Sequence, residues 1–493
     1  MLRFIQSLFK KTKKFEPATV PAAPAYFDES YYVQQYPEVL AAGMQGWWHF
    51  YHHGYMEGRW PCALEAVQLE TGLWGDRPEQ TEQSLLKLLQ STNEAEKSSA
   101  AWFLGRWYAA QQRWLQVQAV MEFYIQCQKP VPGLLAPRLL WLEVLRRQDT
   151  GQANSYWEQL KNQYGPRVDL SLVRMNIANK PNALEWWQNL NAHYDRLGLM
   201  GIGVETESSG LLFDRLQGMP LQETPFSKTE QVNSLISVIV PAYNAEKTIV
   251  TAITSVVAQT WRHVEIIVVD DASTDDTAVL VQQLARQDSR IRLIQLPHNQ
   301  GAYAARNMGL VHSQGQFITV HDSDDWSHPQ KLEQQVLPLL QQTNLKGTLS
   351  HWVRASEDLF FGSWSSPEDW NGLVHRNVSS LLVRRGVVSE LGFWDAVVCS
   401  ADTEYYYRIL TAYGSQSLIE VHAGLPLAFG RVRADSLTQR SETHIFSIFG
   451  GLRQRYRQAY ENWHSRSQTP SDLYMSQYMD TRAFDVDAKM LRK

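Results

Sequence analysis

Three carboxylates, at Asp322, Asp324 and Asp325, lie within four residues of the chain and directly follow the apolar run 316–320. Like charges this close repel one another and raise each other's pKa unless a cation holds them together. Hard divalent cations prefer oxygen ligands, and Mg²⁺ commonly takes one or two carboxylates together with a substrate phosphate. The spacing therefore predicts a cation site at a strand end that faces a diphosphate, although such a triplet in isolation is more typical of a solvated turn.

A second acidic strand end lies upstream, where the apolar run 265–269 leads into Asp270 and Asp271. This run and the earlier run 235–240 are β-branched and almost continuously apolar, which is typical of strands buried on both faces of a parallel sheet. Segments with helical spacing separate them from each other and from a further strand at 291–296. The alternation predicts an α/β fold with a mostly parallel sheet, in which ligands bind beyond the carboxyl ends of the strands.

The residues at these strand ends resemble a known family. The motifs that carry the resemblance lie at 238–244, 265–275, 299–309, 322–325, 391–395 and 400–408. Their residues and their order along the chain are similar to those of glycosyltransferase family two, over about residues 233–435. The resemblance implies a Rossmann-like GT-A fold, a nucleotide-sugar donor, most often a UDP-sugar, and inversion at the anomeric carbon.

Carried over residue by residue, the resemblance implies a donor site at the carboxyl edge of the sheet. Pro241, Ala242 and Tyr243 would line the pocket for a uracil-like base, with the Tyr243 ring against it. Asp271 would accept a hydrogen bond from the base N–H. Arg306 would lie near the diphosphate, whose oxygens suit the fork of guanidinium donors. Without the resemblance, Arg306 would be interpreted as a charge on the surface of a helix.

The resemblance also assigns the acidic cluster to metal binding. Asp322 is the first acid of the DxD spacing, Asp324 would face the donor ribose or the metal, and Asp325 would contact the metal. The implied cofactor is Mn²⁺ or Mg²⁺. A cation in this place neutralises the charge that develops on the departing nucleoside diphosphate.

An inverting single displacement needs one general base, and the resemblance points to Asp402. This carboxylate would remove the proton of an acceptor hydroxyl while its oxygen attacks the anomeric carbon. The segment 402–413 has helical spacing, so the alternative is that Asp402 only caps a helix. Many relatives have Glu-Asp where this chain has Ala401 before Asp402, and Glu404 is a candidate for the missing acid.

Trp394, Asp395 and Glu404 are candidates for the acceptor site, because an aromatic ring beside polar groups suits a sugar, although Trp394 fits a core position equally well. We expect the acceptor to be a glycan or a lipid-linked molecule in bacterial surface-polysaccharide biosynthesis. Two alternatives stay open. A nucleotidyltransferase would carry a Gly-rich, basic phosphate loop where this chain has residues 241–244. A non-catalytic scaffold with a degenerate transferase domain is favoured by Ala401 and opposed by the intact acids.

The composition limits the partners and the compartment. The 493 residues exceed what one domain needs, and the net charge of −5 gives no overall attraction to nucleic acid. Cys62, Cys127 and Cys399 are far apart, which indicates a reducing compartment and excludes a cysteine-rich zinc site. No run reaches the ~18 apolar residues of a membrane span. We expect a cytoplasmic protein that is at most peripheral at the inner face of the cytoplasmic membrane.

Five segments are predicted along the chain, at 1–24, 25–66, 67–225, 233–440 and 441–493. The first joins a basic amphipathic stretch, residues 1–14, to an Ala/Pro linker; such a stretch either lies on an anionic membrane or is a solvated tail. The second is a small aromatic-rich accessory module. The third is all-α and resembles tetratricopeptide-like repeats, which often bind protein partners. The fourth is the transferase domain, and the fifth is a C-terminal helical tail.

Overall fold

The structure is a computed structural model of this chain. It describes residues 20–55, 57–75, 77–179, 183–206, 209–219, 234–362, 372–432, 451–477 and 482–491. The basic amphipathic stretch 1–14 lies outside the described residues, as does part of the predicted tail 441–493. Within the described ranges, no helix is both long enough and apolar enough to cross a bilayer.

Aromatic side chains form the core of a small N-terminal module. Its elements are α1 (Glu29–Gln35), α2 (Pro37–Ala41), α3 (Gly46–His49) and a π-helical turn (Phe50–Gly54). Helix α1 begins at Asp28, whose carboxylate accepts the Tyr31 N–H at 2.9 Å. The ammonium nitrogen of Lys129, from the following region, lies between 4.3 and 5.8 Å from the centroids of four rings of the module. Cation–π attraction therefore joins the module to the helices that follow.

Successive helices make up the next region. They are α4 (Glu65–Trp74), α5 (Pro78–Leu88), α6 (Glu94–Ala110), α7 (Trp114–Gln126), α8 (Leu135–Gln148), α9 (Thr150–Tyr164), α10 (Val168–Ala178) and α11 (Leu184–Asp195). Asn93 and Asp149 start α6 and α9 by accepting N–H groups of the first turn. An antiparallel ribbon follows, made of β1 (Gly201–Val204) and β2 (Leu216–Met219). We predicted only helix here, but three glycines in these two strands disfavour a helix.

The transferase region contains a nine-stranded mixed sheet within the described residues. Its strands are β3 (Ile236–Ala242), β4 (Val264–Asp270), β5 (Ile291–Gln295), β6 (Phe317–Val320), β7 (Trp326–Ser327), β8 (Gly347–Ala355), β9 (Val374–Arg384), β10 (Leu418–Glu420) and β11 (Pro426–Arg431). The order is β5-β4-β3-β6-β9-β8-β11-β7, with β10 paired to β8. β3 is parallel to β4 and β6, whereas β9 is antiparallel to β6 and β8.

Helices connect and cover these strands. They are α12 (Ile249–Val257), α13 (Thr277–Gln287), α14 (Ala302–His312), α15 (Lys331–Gln341), α16 (Arg385–Leu391), α17 (Ala401–Tyr413) and α18 (Leu452–Arg466). The predicted strand–helix alternation is confirmed. Every residue of β3 is buried, as expected for a strand covered on both faces. Because β3, β4 and β6 are parallel, the loops after Ala242, Asp270 and Val320 meet at one edge of the sheet.

The helical region and the sheet share one hydrophobic core. Side chains of α8 to α11 pack with those of β7, β8 and β11 in a single buried cluster. Polar contacts fix the same interface: the Asp169 carboxylate accepts the N–H groups of Leu373 and Val374 at 2.7 and 3.1 Å. The Asn176 side chain exchanges two hydrogen bonds with the backbone of Phe361, at 2.6 and 2.9 Å. The helices therefore support the second half of the sheet directly.

Candidate active site

The loop after β3 presents an aromatic ring at the carboxyl edge of the sheet. Pro241 and Ala242 are buried as the last residues of β3, whereas the following residue, Tyr243, is 49% exposed. Asn244 adopts the left-handed conformation, with φ at 49°, and its N–H donates to the Ser273 hydroxyl at 2.9 Å. The Asn244 amide oxygen also accepts a backbone N–H of the loop after β4 at 2.9 Å. These hydrogen bonds join the two loops and fix the backbone beneath the Tyr243 ring.

Asp271 anchors the start of helix α14. Its side chain is buried, and each carboxylate oxygen accepts one backbone N–H at 2.7 Å, from Gln300 and from Gly301. These two residues directly precede α14, which carries Tyr303 and Arg306. Both oxygens of the residue predicted to bind the base are thus already engaged in positioning this helix.

One turn of α14 connects the acidic loop to the predicted base. Arg306 donates from Nη2 to Asp322 Oδ1 at 2.7 Å, and the Tyr303 hydroxyl donates to Asp402 Oδ1 at 2.9 Å. The Arg306 guanidinium carbon lies 4.9 Å from the centroid of the Tyr303 ring. Burial and then the charge of Asp402 raise the pKa of Tyr303 well above its usual value, so the phenol stays protonated. Tyr303 and Arg306 thereby form a cross-link of hydrogen bonds, with Asp402 at one end and Asp322 at the other.

Asp402 has one anchored oxygen and one that is more open. It is the second residue of α17, after an N-cap at Ser400 with φ at 70°. Its Oδ1 accepts the hydrogen bond from Tyr303 and another from the Thr403 N–H at 2.8 Å. Within the described residues, the contact of Oδ2 is a long one, 3.4 Å from the Ser379 hydroxyl. The carboxylate is therefore oriented through Oδ1, and Oδ2 is available to a ligand.

The carboxyl groups of the acidic loop after β6 have pKa values that are shifted in opposite directions. Asp325 is 4% exposed, and burial followed by the charges of Asp324 and Asp322 raises its pKa well above the usual range. Burial would raise the pKa of Asp322 too, but the Arg306 guanidinium outweighs burial and lowers it. A divalent cation would relieve the repulsion around Asp325, and oxygen donors suit Mg²⁺ or Mn²⁺.

The carboxylates of the acidic loop suit a cation whose remaining ligands come from a substrate and water. Across the part of the chain that the structure describes, no group of three or more His, Cys, Asp or Glu side chains converges to hold a metal ion. The acidic loop can thus supply one or two carboxylates, which is the usual protein share for Mg²⁺ when substrate phosphates and water provide the other ligands.

A polar face of β8 and β9 lies beside Asp402. Side chains alternate along a strand, so His375 and Asn377 lie on the same face of β9, and Ser379, two residues further along the chain, contacts Asp402. The His375 ring is 5.7 Å from the ring of Trp352, its partner in β8. Asn377 is 3% exposed, and its Oδ1 has no hydrogen-bond partner in the described structure. This oxygen can therefore still accept a hydrogen bond.

A stacked arginine joins this face to the acidic loop. The pairing of β8 with β9 is irregular where Thr348 pairs with Leu382 and Ser350 pairs with Asn377, because β9 has extra residues between these two partners. The Arg354 guanidinium carbon is 4.0 Å from the Trp352 ring centroid, and its charge opposes the rise in the Asp325 pKa. A Cβ at Gly430 would lie 2.8 Å from the Trp352 ring, so the glycine of β11 lets that ring pack against the strand.

The three residues predicted for the acceptor site do not reach the cleft. Trp394 is 7% exposed and packs on an aromatic ring of α17 at 5.2 Å. Asp395 is fully buried and accepts a hydrogen bond from a tyrosine of α18 at 3.1 Å. Glu404 is also fully buried, in an ion pair with Arg408 of its own helix and in a hydrogen bond with His464. All three side chains are buried against neighbouring elements.

The sequence-based predictions did not assign roles to several residues of this site. They are Tyr303, Trp352, Arg354, His375, Asn377 and Ser379. A signal existed for Tyr303, since it precedes Arg306 by three residues and shares its helix face. Strand alternation could have grouped His375 and Asn377, but the closeness of β9 to Asp402 depends on the pairing of distant segments.

Comparison with known proteins finds glycosyltransferases. Residues 237–383 match the family model "Glycosyl transferase family 2". An uncharacterized glycosyltransferase of Haemophilus influenzae is 43% identical over 220 residues, which cover 44% of this chain and 87% of that relative.

One further relative and one solved structure match smaller parts of this chain. The UDP-Glc:alpha-D-GlcNAc-diphosphoundecaprenol beta-1,3-glucosyltransferase WfgD of Escherichia coli is 37% identical over 134 residues, covering 27% of this chain and 52% of WfgD. The match to the crystal structure of S. aureus TarS 1-349 in complex with UDP covers 40% of this chain and 61% of the TarS chain, with 21% identity and a TM-score of 0.34.

Proposed function

Because this chain belongs to glycosyl transferase family 2, we propose that it moves a sugar from a nucleotide-sugar donor to a hydroxyl of a glycan or lipid-linked acceptor, with inversion, in the biosynthesis of a surface polysaccharide. The catalytic region has the GT-A fold. The observation that carries the proposal is the pair of hydrogen bonds from α14, by which Tyr303 and Arg306 hold Asp402 and Asp322 at one edge of the sheet. Sugar transfer needs a general base and a loop that faces the donor phosphates at the same edge of the sheet.

The donor nucleotide would lie across the ends of β3 and β4. The exposed Tyr243 ring would offer a face to the base, and the buried Pro241 and Ala242 would line the pocket beside it. We place Asp271 in a supporting role, since both of its oxygens hold the start of α14. Arg306 would lie near the diphosphate. A UDP-sugar is the proposed donor because WfgD is named for UDP-Glc and TarS was crystallised with UDP.

A divalent cation, Mn²⁺ or Mg²⁺, would be held by Asp324 and Asp325, with Asp322 beside them. The buried Asp325 carboxyl, whose pKa its acidic neighbours raise, supports a cation in this place. When bound, the cation supplies positive charge to the diphosphate leaving group. Arg354, stacked on Trp352 near these acids, would add charge on the acceptor side of the leaving group.

In the proposed displacement, Asp402 Oδ2 takes the proton of the acceptor hydroxyl. The acceptor oxygen forms a bond to the anomeric carbon while the bond from that carbon to the diphosphate oxygen breaks, and the electron pair leaves with the nucleoside diphosphate. Tyr303 and the Thr403 N–H keep Oδ1 in place during the step. A positioned general base typically contributes about 10²–10⁴-fold to the rate.

The acceptor sugar would bind on the face of β8 and β9 instead of at the buried Trp394, Asp395 and Glu404. The C–H face of a pyranose packs well on an aromatic ring, and Trp352 offers one. The unpartnered Asn377 Oδ1 would accept a sugar hydroxyl. Asn377 lies two residues before Ser379, which contacts Asp402, so we place the reacting hydroxyl of the bound sugar beside Asp402.

The test is sugar transfer by the purified chain. A panel of nucleotide sugars, with and without Mn²⁺, is first screened by thermal shift, and the donors that stabilise the protein are assayed for hydrolysis and transfer. Asp402→Asn should lower the rate by about 10²–10⁴-fold while donor binding stays intact. The matched control is Asp288→Asn, which removes a carboxylate at the opposite, amino edge of the sheet, where Asp288 pairs with Arg290 at 2.6 Å.

Two outcomes would contradict the proposal. A rate for Asp402→Asn equal to that of the control would exclude Asp402 as the base. Tight donor binding without turnover on any acceptor would favour the scaffold alternative. The anomeric configuration of the product, read from its NMR coupling constants, checks inversion separately.

A further inference from the structure

A turn outside the family-matched residues reaches the acidic loop. The 3₁₀ turn Leu212–Arg215 lies between strands β1 and β2 of the ribbon that follows the helical region. Its residue Phe213 is fully buried, and its N–H donates to the Glu357 carbonyl, just after β8, at 3.0 Å. The neighbouring residue, Asp214, forms an ion pair with Arg431 at the end of β11. The N-terminal region thus contributes a carboxylate to the end of the sheet that carries the site.

Arg431 holds the acidic loop through two different groups. Its backbone N–H donates to Asp325 Oδ1 at 3.2 Å. Its side-chain Nε donates to the backbone carbonyl of Asp324, also at 3.2 Å. The Arg431 side chain is fully buried, so it has no water to replace these partners. One arginine therefore fixes both a carboxylate and the main chain of the proposed cation-binding residues.

Asp214 is the near counter-charge of this arginine. The Asp214 carboxylate accepts from Arg431 Nη2 and from the Thr251 hydroxyl, the latter at 2.6 Å. The Phe213 ring lies 4.2 Å beneath the guanidinium carbon. Glu357 Oε1 is 3.9 Å from Arg431 Nη1, and its side chain is half-exposed. A buried guanidinium that loses its paired carboxylate is destabilised and must reorganise, so the position of Arg431 depends on Asp214.

We propose that Asp214 is a positioning residue of the transferase site: by pairing with Arg431 it holds Asp324 and Asp325 in their cation-binding arrangement. The region before the transferase fold is then a functional part of the site as well as its support. The identity of the ligand, a cation with a nucleoside diphosphate, rests on the proposed function. Partners that orient metal ligands typically change metal affinity by about 10–100-fold when they are removed.

The experiment compares the wild-type protein with Asp214→Asn, which keeps the shape and removes the charge. Hydrogen–deuterium exchange of the peptide spanning 321–326 is measured without ligand, and Mn²⁺·UDP binding is measured by calorimetry. We expect faster exchange of that peptide in the variant and a Kd for Mn²⁺·UDP that is about 10–100-fold higher. The control is Glu70→Gln, which breaks a buried pair with Arg106, 3.1 Å long, in the helical region; it should leave both readouts unchanged.

The outcomes separate this proposal from the proposed function. Wild-type exchange and wild-type affinity in Asp214→Asn would overturn the positioning role. If the wild-type protein itself binds no Mn²⁺·UDP, the proposed function loses its support. The positioning role of Asp214 is then tested by the hydrogen–deuterium exchange of the acidic loop alone. If Asp214→Asn does not fold, Thr251→Val removes one hydrogen bond to Asp214 and should shift both readouts in the same direction by a smaller factor; no shift would overturn the proposal.

Discussion

Replacing Glu404 with glutamine is expected to weaken the fold while leaving the chemistry intact. Glu404 is fully buried, and Arg408 Nε donates to its Oε1 at 2.8 Å. His464 Nε2 lies 2.9 Å from the same oxygen. Glutamine occupies the same space but leaves the buried guanidinium without its counter-charge. The variant therefore asks whether this acid serves packing, as its contacts indicate, or the acceptor, as its place in the sequence suggested.

The size of the effect follows from these contacts. Removing one partner of a buried ion pair costs about 3–5 kcal/mol. Arg408 keeps hydrogen bonds to the carbonyls of Leu391 and Phe393, at 3.0 and 2.9 Å, so we expect the lower end, about 3 kcal/mol. In a domain of this size each kcal/mol lowers Tm by about 2–4 °C, which gives a drop of about 6–12 °C at pH 7.

The pH dependence has a definite sign. Burial would raise the pKa of Glu404 above its ordinary value of 4.5, but Arg408 and His464 outweigh burial and lower it. A lowered folded-state pKa adds stability that is complete above the unfolded-state value and is lost as the pH falls through the folded-state value. The difference in Tm between the wild-type protein and Glu404→Gln should therefore be full at pH 7 and should narrow below pH 4.5.

The assay combines thermal melts with initial rates measured well below the Tm of the variant. The matched control is Glu461→Gln, whose partner Arg457 lies 2.7 Å away, with both side chains about half-exposed. Surface pairs of this kind contribute about 0–1 kcal/mol, so its Tm should shift by no more than about 4 °C. An unchanged Tm in Glu404→Gln together with a raised acceptor KM would refute the packing role.

Three further outcomes are expected. Tyr303→Phe removes a hydrogen bond to the Asp402 carboxylate and should lower kcat about tenfold with an unchanged donor KM; a wild-type kcat in steady-state assays would count against the cross-link. EDTA should abolish transfer and Mn²⁺ should restore it in a rate titration, because the diphosphate needs a counter-charge; full activity in chelator would remove the cation from the proposal. Gly430→Ala should displace the Trp352 ring and raise the acceptor KM, while the donor Kd from calorimetry stays constant; an unchanged KM would exclude this ring from acceptor binding.

The sequence predicted the elements whose signal is local. Strands β3 and β4 and helix α12 follow from apolar periodicity, because burial on both faces leaves a continuous run and burial on one helix face leaves a 3.6-residue repeat. The acids after β6 were recognised because they are clustered in the loop just beyond an apolar run. Helical spacing likewise placed Asp402 at the N-cap or in the first turn of a helix, and the structure has it in the first turn.

What could not be predicted depends on pairing between distant residues. Glu404 resembles an exposed helix-start acid until His464, 60 residues later, is brought against it. The partners Asp214 and Arg431 are 217 residues apart, and no periodicity links them. Asn377 has no local signature at all, because its unpartnered oxygen is a property of the packed sheet. Buried polar contacts of this kind are fixed by tertiary structure and not by neighbouring residues.

The core shared by the helices and the sheet limits how this enzyme can be divided. The outer surface of β7, β8 and β11 carries Trp326, Val353, Leu427 and Phe429, all covered by the N-terminal helices. A chain that starts at residue 234 would present these side chains to water, and contiguous apolar patches promote self-association. We therefore expect that the catalytic half cannot be produced as a separate domain without self-association. Grafting it onto another protein, or exchanging it with a shorter homologue, would first require a polar redesign of this surface.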